Sequence, residues 1–202
     1  MASTVRVFLL TYRRTHMVRR ALESLIEQDC KDWVCEVHND WPDDAAAIDD
    51  IVASLGDERF EVFNHKENLG GTRSFNLAFE SRHEEPFFLI LEDDNYWHPS
   101  FLSRMLASIR NYPGVVAVWC NQQIRVENGE GGFSDVEELV GPTGDSDRLI
   151  EFGDVNQVLG SLHADGAMVI RTSMSKGLVL PSDLPFSATA VRQFCRGCRV
   201  SH

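Results

Sequence analysis

Four consecutive polar residues, Glu92-Asp93-Asp94-Asn95, come directly after the apolar run Pro86-Phe87-Phe88-Leu89-Ile90-Leu91. That run is too short to span a membrane and too rich in β-forming residues for an amphipathic helix, so it reads as a buried strand of a parallel sheet. Carboxylates released at the carboxyl end of such a strand stand where open α/β sheets hold their ligands. Asp and Glu are seldom buried without a partner, so the cluster calls for solvent, a cation or both. Two readings fit: Asp93 and Asp94 seat a divalent metal, or they only open the next helix, whose start is marked by Pro99-Ser100-Phe101-Leu102.

The elements that must position this cluster alternate along the chain. Val5 to Leu10 is a first strand, and Val18 to Glu27 places Val18, Leu22, Leu25 and Ile26 at helical spacing. Trp33 to Val37 is a second strand. Asp43 to Leu55 repeats the helical pattern, with Asp43 and Asp44 placed to cap it and Gly56 to stop it. Phe60 to Phe63 is a third strand, Gly70-Gly71 breaks the chain, and Thr72 to Ser81 offers Phe75, Leu77, Ala78 and Phe79 for a buried helix face. The strand at 87–91 is succeeded by a helix from about Ser100 to Tyr112 and a strand from Val115 to Cys120. Between Asn121 and Val158 the pattern weakens into Gly- and Pro-containing turns, a surface excursion or a lid, and Ala167 to Ile170 returns as a strand. Alternation of this kind predicts an α/β fold, a parallel sheet with helices on both faces.

Composition excludes several functions. A chain of 202 residues, 43% of them hydrophobic, suits a single domain over 1–202. A formal net charge of -12 argues against sequence-independent nucleic-acid binding, although Arg13-Arg14 and Arg19-Arg20 are local basic spots. A phosphate-bearing substrate would need such a spot or a metal, since the overall field repels it. No signal peptide opens the chain and no run reaches transmembrane length, so a soluble, cytoplasmic protein is expected. Five cysteines fit reduced thiols better than a disulfide framework, and Cys195-x-x-Cys198 has no second pair with which to make a zinc site.

In a doubly wound sheet, neighbouring strand ends share one crevice. Here those ends are Thr11-Tyr12-Arg13-Arg14, Asn39-Asp40, Asn68-Leu69-Gly70-Gly71 and Glu92-Asp93-Asp94-Asn95. Tyr12 can stack on a base, and Asp40 can accept from a base N–H or a ribose hydroxyl. Glycines admit close backbone approach, and paired carboxylates can hold a cation that bridges phosphates.

With these residues the chain resembles a family 2 glycosyltransferase of the nucleotide-sugar-binding fold called GT-A, a Rossmann-like, mostly parallel sheet with helices on both faces. Val5 to Arg14 is similar to the family's opening strand and its Thr-Tyr-Asn-Arg turn. Leu22-Glu23-Ser24-Leu25 with Gln28 is similar to the next helix of the family, and Lys31-Asp32-Trp33 to the approach to the second strand. Asn39-Asp40, Asn68-Leu69-Gly70-Gly71 and Asp93-Asp94-Asn95 with Pro99 stand at the family's Asp-Asp, Asn-Leu-Gly and D-x-D-type motifs. The resemblance covers roughly residues 5 to 175 and divides the chain into a nucleotide-binding half, about 1–98, an acceptor-side half, about 99–175, and a tail, 176–202. It implies transfer of a sugar from a nucleoside-diphosphate sugar, most often a uridine donor, to a saccharide, lipid or other hydroxyl acceptor, with Mn²⁺ or Mg²⁺ on the diphosphate. By the family's pattern Asp94 is the metal ligand and Asp93 lies nearer the ribose or sugar. Thr11, Tyr12 and Asp40 would hold the base, Arg73 would help the phosphates, and Arg14 and Gly70 complete the nucleotide-binding set.

The chain also departs from the pattern. Asn39 replaces the first acid of the usual pair, Trp41-Pro42 replaces a Gly-Ser turn, and Arg13 stands where Asn is usual. The helix that usually carries the acceptor-deprotonating acid is not recognisable, and Ser187 to His202 holds no carboxylate. Asp165 and Asp183 are the remaining candidates for that base, and Asp165 also reads as a strand-entry turn residue. A truncated or divergent member that binds a donor without transferring sugar is therefore the alternative to a working, inverting enzyme. A nucleotidyltransferase is disfavoured because Leu10-Thr11-Tyr12-Arg13 contains no glycine for a phosphate loop.

Overall fold

A computed structural model describes residues 3–80, 83–128, 132–139, 144, 165–175 and 179 of the chain. Its strands are β1 (Val5–Thr11), β2 (Trp33–Asn39), β3 (Phe60–Asn64), β4 (Phe87–Glu92), β5 (Ala117–Trp119), β6 (Gln123–Glu127), β7 (Phe133–Leu139) and β8 (Met168–Arg171). The helices are α1 (Thr15–Ile26), α2 (Ala45–Leu55), α3 (Gly71–Glu80) and α4 (Phe101–Asn111). One sheet runs in the order β3-β2-β1-β4-β8-β5, and β6 and β7 pair as a separate hairpin.

The first four strands are parallel, as the βα alternation predicts, with Thr11 level with Asn39, Asn39 with Asn64, and Leu10 with Glu92. This register aligns their carboxyl ends along one rim. The sheet is mostly parallel, as expected, and its exception is β8, which runs antiparallel to both β4 and β5. Four residues entered from a 3₁₀ turn carry no periodicity that could signal direction.

Strand alternation separates two cores. Val5, Val7 and Leu9 of β1 face α1, α2 and α4, joined by Leu22, Leu25, Ile48, Leu102 and Ile109. Phe8 and Leu10 face the other way, against Phe75 and Ala78 of α3 and Phe88 and Ile90 of β4. Full burial of a Val, Leu or Phe is worth about 1.5–3 kcal/mol, so the two-sided burial of β1 and β4 anchors the rim beyond them. The α3 face also carries an ionic chain: Arg6 lies 2.5 Å from Glu36 and 2.9 Å from Glu85, and Glu36 lies 3.0 Å from His38. Burial opposes ionisation of Glu36, but the hydrogen bond from His38 and the charge of Arg6 outweigh it and hold that carboxyl below the ordinary range.

Two local expectations need correcting. Asp43 and Asp44 lie in a 3₁₀ turn ahead of α2, and Asp44 at the N-cap makes no side-chain cap bond. Gly56 does end α2 in the left-handed conformation, at φ 63°. The stretch from Asn121, expected as turns, contains the β6–β7 hairpin, whose first strand is short and largely exposed. Among the described residues no helix is long and apolar enough to cross a membrane.

Candidate active site

The Asp93–Asp94 turn grows directly out of β4. Asp93 N–H still donates to the Leu10 carbonyl at 3.2 Å, extending the sheet ladder by one bond, and Asn95 N–H closes the turn on the Glu92 carbonyl. The next helix, α4, starts only at Phe101, so these carboxylates do not cap it, and the helix-opening reading is set aside.

The loop that leaves the turn is pinned by α1. Buried Gln28 donates to the Ser24 and His98 carbonyls, each at 2.9 Å, and accepts from Leu102 N–H at 2.9 Å. Trp97 N–H donates to the Ser24 hydroxyl at 3.1 Å, and the Trp97 indole N–H donates to the Gly166 carbonyl at 2.6 Å. The Asp165–Ala167 turn is thereby held against the same loop, which brings the backbone of Asp165 beside it.

Asp93 is wholly buried. Its Oδ2 accepts from Tyr12 N–H at 3.3 Å, and the Thr11 hydroxyl bonds its carboxylate. Arg14 Nη2 lies 2.7 Å from Oδ1, yet that oxygen receives no properly aligned hydrogen bond, so it is paired by charge and left with accepting capacity. Burial pushes the Asp93 carboxyl above the ordinary carboxylate range, against the pull of Thr11, Arg14 and Tyr12 N–H, and the neighbouring charge of Asp94 adds to the rise. Asp94 is half-exposed, and its Oδ2 lies 2.5 Å from Arg14 Nη1. Arg20 donates to the Asp94 backbone carbonyl at 3.1 Å and stacks 4.0 Å over the Phe133 ring and 5.1 Å over Tyr96. Arg125 donates to the Tyr96 hydroxyl at 2.5 Å, which docks the β6–β7 hairpin beside the acidic turn.

A second carboxylate, Asp40, lies at the end of β2 and is employed differently. Its Oδ1 accepts from Leu69 N–H at 2.6 Å, and Oδ2 accepts from Gly70 N–H at 3.0 Å and the Ser74 hydroxyl at 3.1 Å. Asp40 thus ties the Asn68–Gly71 turn and the start of α3 to the rim. Gly70 takes φ 78°, a left-handed angle that favours glycine there.

Between the two carboxylates lies an aromatic surface. Exposed Tyr12 meets Trp41 edge-on, with ring centroids 5.7 Å apart, and the Arg13 guanidinium lies 4.2 Å over the Trp41 ring. Arg13 holds φ 57°, a left-handed conformation that costs a non-glycine residue about 1–3 kcal/mol and that clusters at functional sites.

The structure therefore brings Thr11, Tyr12, Arg14, Asp93 and Asp94 together and sets Asp40 with Gly70 in a neighbouring turn. Arg73 lines a cleft of about 410 Å³ with His65, Leu69, Asn76 and Glu80, whose walls include none of the Asp93 group. The side chain of Asp165 and the whole of Asp183 lie outside the described residues. Sequence reasoning missed Arg20, Tyr96 and Phe133. Arg20 was visible as a basic spot, but its partners come from the turn after β4 and from β7, far along the chain.

The pattern for glycosyl transferase family 2 matches residues 6–171. The chain belongs to that family. WcaA of Escherichia coli K12, named as a colanic acid biosynthesis glycosyl transferase, is 25% identical over 103 residues, which are 51% of this chain and 37% of that protein. The crystal structure of Staphylococcus aureus TarS superposes with a TM-score of 0.64 at 18% identity, covering 96% of this chain and 55% of the TarS chain. The mannosyltransferase PcManGT of Pyrobaculum calidifontis, solved with GDP-Man and Mn²⁺, superposes at 0.62 and 14% identity, over 91% of this chain and 49% of its own. These likenesses show the GT-A fold, and the family 2 chain spans about half or less of the length of each relative.

Proposed function

We propose that this chain is a working, inverting glycosyltransferase that takes a sugar from a nucleoside diphosphate, of the uridine type, and passes it to a hydroxyl acceptor. The observation that carries the reading is the buried Asp93 carboxylate. Among the described residues its Oδ1 receives no aligned hydrogen bond, only the charge of Arg14, and it sits between an exposed aromatic surface and a half-exposed second carboxylate. TarS, which shares this fold, has been solved with UDP and with UDP-GlcNAc, which supports a uridine donor.

In this reading the exposed Tyr12 ring stacks on the base, worth about 0.5–1.5 kcal/mol, with Trp41 set edge-on beside it. Asp93 accepts from a ribose or sugar hydroxyl through Oδ1. Asp40 contributes by fixing the Gly70 turn, since its own oxygens are occupied. Gly70, Thr11 and Arg14 shape the rest of the nucleotide site, and Arg73 is available to anionic groups from the neighbouring cleft.

Among the described residues no three acidic, histidine or cysteine side chains form a ready cation cage. Asp94, aided by Asp93, would hold a family-type Mn²⁺ or Mg²⁺. Such a cation supplies Lewis-acid stabilisation of the leaving diphosphate. In the transfer itself the acceptor oxygen bonds to the anomeric carbon from the face opposite the diphosphate. The anomeric C–O bond breaks, its electron pair leaves on the diphosphate oxygen, and the hydroxyl proton passes to a carboxylate. We assign that proton to Asp165, whose turn is bonded to the acidic loop through Trp97, with Asp183 as the alternative.

The test is incubation of the protein with UDP- and GDP-linked sugars and Mn²⁺, monitoring release of the nucleoside diphosphate. Release from a UDP-sugar, reduced in Asp165→Asn with donor binding intact, is the expected result. Tight donor binding with no release from any donor would instead identify an impaired binding module.

A further inference from the structure

We propose that Arg14 is a built-in counter-ion for Asp93 and Asp94, and that a divalent cation enters this site only as a nucleoside diphosphate draws Arg14 away. The inference rests on the donor-site reading above. Its basis is one guanidinium on two carboxylates, Nη2 at 2.7 Å from Asp93 Oδ1 and Nη1 at 2.5 Å from Asp94 Oδ2. The planar fork of arginine suits this bridging, which a lysine ammonium could not reproduce on both partners. Arg20 adds a second positive charge at the Asp94 carbonyl.

Two arginines against two aspartates leave the Asp93–Asp94 pair formally neutral, so a bare cation finds little net negative charge on it. To enter, it must displace the guanidinium from Asp94, the carboxylate that would hold it. A diphosphate changes that balance, because it carries the negative charge on which Arg14 can re-pair, and the carboxylates are then released to the cation. Arg14 is equipped for the exchange. Its side chain is 40% exposed and comes from the short turn between β1 and α1, beyond the left-handed Arg13, and outside Asp93 and Asp94 it makes no described side-chain bond. Asp93 stays in place without Arg14, since Tyr12 N–H and the Thr11 hydroxyl hold it from the other side.

Metal and nucleotide are then coupled, and the coupling is reciprocal. Mn²⁺ should bind the free protein weakly and tighten by about 5- to 150-fold when UDP is present, the usual range for linked sites. Arg14→Gln removes the competing charge, so its Mn²⁺ affinity without nucleotide should rise about tenfold over wild type while UDP alone binds more weakly. Arg14→Lys, which keeps the charge but cannot bridge both carboxylates, should fall between them.

The experiment is titration of free Mn²⁺ by electron paramagnetic resonance on wild type, Arg14→Lys and Arg14→Gln, with and without UDP, each protein checked by its thermal melt. If Arg14→Gln binds Mn²⁺ alone no better than wild type, while wild type still binds it with UDP, the counter-ion proposal is wrong and the donor site stands. If wild type binds no Mn²⁺ even with UDP, both fall together. Should Arg14→Gln fail to fold, wild type decides, since equal Mn²⁺ affinity with and without UDP overturns the proposal by itself.

Discussion

Asp40 and Asp93 end neighbouring regions of the same rim, and both are buried, yet their surroundings differ in kind. Asp40 accepts three hydrogen bonds from its own chain, two of them from backbone amides. Asp93 accepts from Tyr12 N–H and Thr11, keeps one oxygen without an aligned donor, and is paired by an arginine that is itself partly in solvent. The first arrangement is complete without a ligand. The second carries the cost of a buried charge only partly met by the fold, which is the mark of a group kept for a partner. Depth alone would not have told them apart, whereas an account of every oxygen does.

The sharpest way to break this contrast is at the half-exposed member of the acidic pair. Asp94→Asn should lower sugar transfer at least about a hundredfold, a few kcal/mol of lost electrostatic stabilisation, and shift the urea midpoint little. Transfer within about threefold of wild type would remove Asp94 from the site.

Next in size is the cost of emptying Asp40. Asp40→Ala leaves Leu69 N–H, Gly70 N–H and the Ser74 hydroxyl without their acceptor, and urea unfolding should show a loss of about 3 kcal/mol. Asp93→Asn, equally deep, should cost less than about 1 kcal/mol while impairing donor binding. Equal destabilisation by the two variants would show that the contrast in oxygen accounting has no energetic meaning.

Titration separates the same groups. Asp93 is raised, so its favourable contribution is present below its ordinary value and is lost as pH climbs through the raised one; at neutral pH its charge is a cost that Asp93→Asn removes. Glu36 and Glu85 behave oppositely. Burial resists their ionisation, but His38 and Arg6 for Glu36, and chiefly Arg6 for Glu85, hold both below the ordinary 4.5. Their stabilisation is present above that value and lost as pH falls through the lowered ones. His65 and His83, depressed first by burial, add an earlier loss below their ordinary 6.5. Unfolding free energy measured from pH 8 to 3 should therefore fall in two stages, and Asp93→Asn should gain on wild type toward the high end. A flat curve between pH 6.5 and 5 would contradict the histidine stage.

The smallest expected effect is at the aromatic surface. Tyr12→Ala should weaken UDP binding about fivefold, roughly 1 kcal/mol, with stability unchanged, because Tyr12 is exposed and its main protein contact is the edge-on Trp41.

Much of this was legible in the sequence. The apolar run into Glu92-Asp93-Asp94 announced a strand and its ligand-bearing end, and helical spacing placed α1 to α4 within a few residues, because period and abrupt polarity changes are local signals. The employment of each carboxylate was not legible. Arg14 meets Asp93 and Asp94 across about eighty positions, and Asp40 meets Ser74 across thirty-four, so only the register of β1, β2 and β4 brings them together. Gln28 appeared only as part of a helix motif, yet it bonds three backbone groups that hold the acidic loop. The β6–β7 hairpin and the direction of β8 escaped for a different reason. The strand at β8 was recognised but nothing local signals its direction, and the alternation in β6 spans only five largely exposed residues.

Calorimetric titration of UDP into wild type and Asp94→Asn, each with Mn²⁺ and with EDTA, tests most directly whether the Asp93–Asp94 turn is a metal-assisted nucleotide site. The account predicts tight binding to wild type with Mn²⁺, at least tenfold weaker binding with EDTA, and no metal enhancement in Asp94→Asn. Binding of equal strength in all four titrations, or none in any, would contradict it.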